Sequence, residues 1–395
     1  MKKLVLFSIL IFAISAITFA QQYGWQLIET PDISGTPDFS NVFFVNDNTG
    51  WITTDTRNNI FKTDDGAVSF TTQVTTHGIE AIQMFDINNG YAGGESGIVF
   101  NTTDGGLNWT AIGSIGVPLT DMDFATSSQG YACGDNGTVF SISGTSVTNL
   151  NCGSYSYFSG ISAPSVDNVW VCGGNRIYYY NGTSFTSQPS PGGNFNDIHC
   201  INNQEGWVVG DEGIIYHTSD GGAFWAPQTN PDTQDRSLYG VFFLDSNTGW
   251  AVGFHGIILH TTDGGTTWTI EGAGLTTAFL REVHFTSATN GYIVGNRKTL
   301  IKYTEITGIG DETEPLKFEI YPNPAQNKIQ IHCSEFKTEK GIIEILSLEG
   351  KKILEKDIES GIEIIDLDLH NLKSGMYFCK LSTDKKSTTK KLIIE

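Results

Sequence analysis

The chain has 395 residues, 39% of them hydrophobic, and its 23 Lys+Arg against 43 Asp+Glu give a formal net charge of -20. The imbalance is local: residues 21–315 hold 8 basic and 30 acidic side chains, whereas residues 316–395 hold 13 of each, which implies two domains with different surfaces. A field that negative repels phosphate backbones and anionic headgroups, so nucleic acid and membrane-surface partners are not expected for the first region, and cations or neutral polymers stay open.

The chain opens with two lysines, Lys2 and Lys3, then a mostly apolar run, then the small residues Thr18 and Ala20. This is the pattern of a secretory signal peptide over residues 1–20. No other stretch approaches the ~18 consecutive apolar residues of a membrane span, so no membrane insertion is expected. Gln21 rather than Cys follows the cleavage point, which argues against a lipoprotein. The six cysteines, at 133, 152, 172, 200, 333 and 379, form no CxxC pair and no cluster with His, so no metal site and no cofactor are expected. Cys133 and Cys172 occupy positions where other repeats have Val209, Val252 and Val294, and read as small buried hydrophobes.

From residue 21 an aromatic recurs at Trp51, Tyr91, Tyr131, Trp170, Trp207, Trp250 and Tyr292, at intervals of 40, 40, 39, 37, 43 and 42. Each unit reads as four short strands: an alternating run such as "YGVFFLD", the "GWAVG" run, a third run such as "IILHTTD", then "GG" and a fourth run. A lone four-stranded sheet cannot bury both faces, whereas seven stacked around an axis can, so the pattern predicts an all-β, seven-bladed β-propeller over 21–304. The seventh unit ends after "TLIKYTE" without a fourth strand, and the mature chain begins with an orphan one, "YGWQLIET". Residues 22–30 are therefore expected to complete the last blade and remove two sheet edges.

The turn between third and fourth strands reads "NTTDGGLNW" from Asn101, "HTSDGGAFW" from His217 and "HTTDGGTTW" from His260. Asp104, Asp220 and Asp263 are placed to accept hydrogen bonds from amides of their own turns, with Thr102, Thr218 and Thr261 adding a hydroxyl. Thr63, Asp65 and Phe70 form a weaker copy. A catalytic group is seldom copied around a ring and a turn stabiliser often is, so these acids read as structural. The motif resembles the Asp-box, or bacterial neuraminidase repeat, and the unit "GWAVGFHGIILHTTDGGTTW" is similar to the repeats of photosystem II stability and assembly factors. The resemblance implies a propeller and does not choose among sialidases, xyloglucanases and assembly factors.

After a polar linker over 305–315, residues 316–395 read as about seven alternating strands, the pattern of a small C-terminal β-sandwich. Tyr321-Pro322-Asn323-Pro324, Leu348-Glu349-Gly350-Lys351, Gly375-Met376-Tyr377-Phe378 and the terminal "KKLIIE" together resemble the C-terminal sorting domain of the type IX secretion system. The resemblance implies type IX machinery as a partner and a secreted or cell-surface destination; an accessory sandwich that stays on the protein is the alternative. Cys333 shares the inward parity of Ile329 and Ile331, and Cys379 that of Tyr377 and Leu381, leaving thiols or a bridge open.

The sialidase family uses three converging arginines, and this propeller holds only Arg57, Arg176, Arg236, Arg281 and Arg297, with no Arg-Ile-Pro segment near its start. No GxSxG, HExxH or P-loop is present, and no catalytic residue is assigned. The favoured function is a secreted, monomeric, non-enzymatic binding or scaffolding propeller; the alternative is a secreted glycoside hydrolase or other hydrolase acting on polysaccharide. Its glycan or protein ligand is expected at the rim formed by the turns between second and third strands, which carry Arg57, Glu95, Asp135, Arg176, Glu212, His255 and Arg297. Tyr157, Phe195 and Tyr239 in nearby links are candidate stacking surfaces.

Overall fold

The strand runs pair within each repeat as seven four-stranded antiparallel sheets, arranged as the blades of a β-propeller. The structure, a computed structural model, describes residues 23–305 and 317–395 apart from 31–32, 34, 36, 55–57, 155, 338–339, 348–350 and 384–386. The expected signal peptide, most of the expected linker, and the Leu348-Glu349-Gly350 turn lie outside the described residues.

The strands nearest the axis are, from the first blade to the seventh, Phe39–Phe44, Ile79–Met84, Leu119–Thr126, Gly160–Ser165, Phe195–Cys200, Leu238–Phe243 and Leu280–Ser287. Tyr23–Leu27 is the outer strand of the seventh blade, antiparallel to Thr299–Glu305 with Trp25 opposite Tyr303. Trp25 is buried against Phe285 and Tyr303. Its Nε1 donates to Glu271 Oε2 at 2.8 Å, while Glu271 Oε1 lies 2.8 Å from His260 Nδ1, so one carboxylate ties the N-terminal strand to the sixth blade.

The recurring aromatics are what the blades stack on. Trp207, Trp250 and Tyr292 each lie flat on the last inward Phe of the next blade: Trp207 on Phe243 at 3.5 Å, Trp250 on Phe285 at 3.5 Å, and Tyr292 on Phe44 at 3.6 Å across the closing seam. Each such pair adds about 0.5–1.5 kcal/mol beyond its buried area. The glycine before the aromatic has a steric reason. A Cβ at Gly249 would come within 2.5 Å of the Phe243 ring, which crosses the backbone there.

The tail is a separate unit of two sheets. One contains Phe318–Tyr321, Lys328–Cys333 and Ile364–Asp368; the other contains Gly341–Leu346, Lys352–Ile358, Gly375–Thr383 and Ser387–Ile394. Their inner faces share one core that includes Ile329, Ile331, Ile343, Ile345, Leu381 and Leu392, which makes the unit a β-sandwich. Cys333 and Cys379 are buried in that core as thiols, and burial pushes Cys379 up to about 12. Cys133 and Cys172 are fully buried thiols in the propeller.

Candidate functional site

Strand alternation predicts that every second residue of an innermost strand faces the axis. The structure departs from this, because six of the seven innermost strands carry a β-bulge after their first core residue, as between Leu119 and Asp121 or Phe195 and Asp197. A bulge re-aims a side chain. Two successive residues of the first, third, fifth and seventh blades, and one axis-facing residue of each of the others, line a cavity of about 840 Å³ at the ring centre.

The first of these two positions holds Ser40, Glu80, Thr120, Ser159, Asn196, Tyr239 and Arg281. In four blades it is a small donor that reaches a carbonyl of the following blade. Ser40 Oγ donates to Ile79 O at 2.8 Å, Thr120 Oγ1 to Phe158 O at 2.7 Å, Ser159 Oγ to Phe195 O at 2.9 Å, and Asn196 Nδ2 to Leu238 O at 2.9 Å. The second position holds the acids Asp121, Asp197 and Glu282, with Asn41 beside them. Asp121 accepts from the amides of Met122 and Ile161, and Asp197 from those of Ile198 and Val241, so both oxygens of each carboxylate hold backbone. Glu282 accepts from Val283 N and, at a long 3.5 Å, from Asn41 Nδ2.

Burial raises the pKa of all three. Asp197 is pushed up to about 7, with the charge of Asp123 adding. Asp121 and Glu282 are raised well above the usual carboxylate range, by burial first and then by the charge of Asp197. Deeper in the channel another stitch repeats. Gln83, Asp123, Ser162 and His199 accept the amides of Phe124, Ala163, Cys200 and Phe243 in the next blade. His284 breaks the series: its Nδ1 is buried without a partner among the described residues, and burial pushes the ring down to about 3.

The rim residues divide. Glu95 and Asp135 line the central cavity, near Tyr157, Tyr239 and Phe279. Glu212 lines a separate depression with Asp211 and Asp235, and His255 another with Phe254 and Arg236. The two pairs also differ by one place in their turns, although Asp211 and Phe254, at the place of Glu95 and Asp135, line those same depressions. In the turns Gly94 to Gly97 and Gly134 to Gly137, Glu95 and Asp135 come directly after the first glycine, whereas Glu212 and His255 stand one position later, at positive φ of 56° and 54°. Their turn equivalents are Ser96 and Asn136, both at φ 58°. Arg176 and Arg297 are exposed, Arg297 N donating to Asp38 Oδ1, and Arg57 lies outside the described residues. Of the candidate stacking rings, Tyr157 and Tyr239 line the cavity. Phe195 does not stack on a ligand: the bulge that turns Asn196 and Asp197 to the axis leaves it in the core, 1% exposed.

The Thr-x-Asp turns lie at the other end of the blades' architecture. Thr102, Thr218 and Thr261 each donate to the acid two residues on at 2.9 Å and accept the amide of Gly106, Gly222 or Gly265 at 2.8 Å. The acids also accept the amides of Asn108, Phe224 and Thr267; Asp65 accepts from Val68, Ser69 and Thr63. The Ser69 hydroxyl, ahead of the turn amides, holds Asp65 down at about 2. These turns also join blades. Gly264 O accepts from Trp207 Nε1 at 3.1 Å and Gln228 Nε2 at 2.8 Å, both in the preceding blade, and Gly105 O accepts likewise from Trp51 and Gln73. A side chain at Gly265, at φ 84°, would collide with Gln228.

Comparison with known proteins agrees with this architecture. Residues 319–395 match the family of the secretion system C-terminal sorting domain. Residues 186–272, from the last strand of the fourth blade through the sixth, match photosynthesis system II assembly factor YCF48. No curated protein matches the chain. Among solved structures, YCF48 bound to D1 peptide is similar with a TM-score of 0.60 at 17% identity over 72% of this chain and 98% of that one. YCF48 from Cyanidioschyzon merolae gives 0.58 at 16% identity, covering 71% and 98%. Virginiamycin B lyase from Staphylococcus aureus gives 0.61 at 13% identity, covering 72% and 100%. At these identities the likeness is one of fold. The sorting tail implies an interaction with the type IX secretion machinery and export to the cell surface or beyond. Among the described residues no helix is long and apolar enough to cross a membrane.

Proposed function

We propose that the protein is a non-enzymatic binding propeller, delivered by its tail, that takes its ligand in the cavity at the ring centre. The observation that carries this reading is the cavity itself, about 840 Å³ and walled by Tyr157, Tyr239 and Phe279 beside polar groups, a combination common in ligand sites. A YCF48 propeller has been solved with a bound peptide, which supports a polypeptide as the kind of molecule such a ring can hold. Glu95 and Asp135 belong to this site, and Glu212 and His255 extend the surface beside it. The Asp-box acids Asp65, Asp104, Asp220 and Asp263 are structural, since their oxygens are engaged by their own turns. Hydrolysis would draw on Asp197, whose pKa of about 7 suits an acid or base. Both of its oxygens nevertheless hold backbone amides, which favours a structural role.

The test is a screen of short peptides and oligosaccharides on the full chain, followed by Tyr157→Ala, Tyr239→Ala and Asp263→Ala. The two tyrosine variants lose the ligand at unchanged melting temperature, and Asp263→Ala keeps it. Loss of binding in Asp263→Ala with the fold intact would overturn the assignment.

A further inference from the structure

The seven blades provide an internal standard for what the fold requires at each position. At the first axis-facing position four blades use Ser40, Thr120, Ser159 and Asn196, each a small donor to the next blade. The second, sixth and seventh blades instead carry Glu80, Tyr239 and Arg281, and all three line the central cavity. These three blades thereby bring a carboxylate, a phenol and a guanidinium to the cavity wall.

We infer that the cavity holds a cationic side chain of a partner polypeptide, a lysine or arginine, between the carboxylates of Glu80, Glu95 and Asp135 and the rings of Tyr157 and Tyr239. The inference rests on the central cavity being the ligand site. Among the described residues that line the cavity Arg281 is the one basic side chain, and it is engaged at the wall: Nε donates to Asn296 Oδ1 at 2.7 Å, and its guanidinium lies 4.0 Å from Asp38. A concave site lined by one sign of charge focuses its field and concentrates counter-ions, and aromatic faces attract the same cations within about 6 Å. The volume exceeds one side chain, leaving room for the backbone that flanks it. An anionic ligand is repelled, and a neutral sugar uses the carboxylates only as hydrogen-bond acceptors, without the charge attraction that a cation adds.

The probes are acetyl-Gly-Lys-Gly-amide and its norleucine and glutamate counterparts, titrated into the full chain and followed by NMR. The lysine peptide binds at least about tenfold more tightly than the norleucine peptide, and the glutamate peptide does not bind. Glu80→Gln with Asp135→Asn weakens the lysine peptide by about tenfold at unchanged melting temperature, and added salt narrows the difference. Glu95→Gln gives the same test should the double variant fold poorly. Equal binding of the norleucine or glutamate peptide, or preference for a neutral oligosaccharide, leaves the cavity as the site and overturns its cationic occupant. Binding of none of the peptides or oligosaccharides at the cavity overturns the site as well.

Discussion

Thr261 makes three hydrogen bonds with one buried hydroxyl, donating to Asp263 Oδ1 and accepting from the amides of Gly265 and Asp263. Valine fills the same space and leaves the buried Gly265 amide without its acceptor, so Thr261→Val is expected to cost about 1–3 kcal/mol in urea unfolding. A value near zero would mean that the amide finds another partner. The titrating acids act in opposite senses. Asp65, Asp104, Asp220 and Asp263 have lowered pKa values, so they contribute stability above the ordinary carboxylate range that is lost as pH falls toward 2. Asp197, at about 7, binds its proton more tightly folded than unfolded, so its contribution is lost as pH rises from about 4 to about 7, and the raised Asp121 and Glu282 act in the same sense. The melting temperature is therefore expected to be higher at pH 5 than at pH 8, and Glu282→Gln to narrow the gap. A variant with the parent's pH dependence would remove Glu282 from the account.

The strand Tyr23–Leu27 is separated by almost the whole propeller from the strand it pairs with. Its Trp25 fills the outer side of the seventh blade and anchors Glu271, so Trp25→Ala should cost about 3–5 kcal/mol. The same variant should raise hydrogen exchange in Thr299–Glu305 before any other blade. Uniform exchange across the ring would contradict a local seam. This element was legible because the repeat counts strands: a seventh unit one strand short asks for one elsewhere. The Thr-x-Asp turns were legible because Thr261, Asp263 and Gly265 meet within five residues. The grip of Gln228 and Trp207 on Gly264 O was not, since it joins elements about forty to sixty residues apart. The cavity lining was hidden by the bulges. Alternation along "LTDMDF" or "FNDIHC" offers only every second residue to the axis, and a bulge that admits two in succession has no signature in those residues. Glu95 and Glu212 differ by one place within their Gly-x-x-Gly turns, which the sequence displays, but the positive φ of 56° at Glu212 is not announced by its residue type.

At the scale of the molecule, an acidic ring and a charge-balanced sandwich divide the labour on the proposed reading: the tail directs export, and the ring is assigned the binding. Residues 305–395 fused to an unrelated protein carrying a signal peptide should reach the cell surface in a host with type IX secretion, and retention in the periplasm would count against that division. The ring's part rests on the ligand sitting at the axis and not on the outer turns, where Val68 and Leu107 are also exposed, at 75% and 81%. The most direct test is an NMR map of the full chain titrated with acetyl-Gly-Lys-Gly-amide. The account predicts that the shifted amides cluster at Thr120, Ser159, Asn196 and Tyr239, while those of Val68 and Leu107 stay still. Shifts confined to the outer turns, with the axis silent, would contradict it.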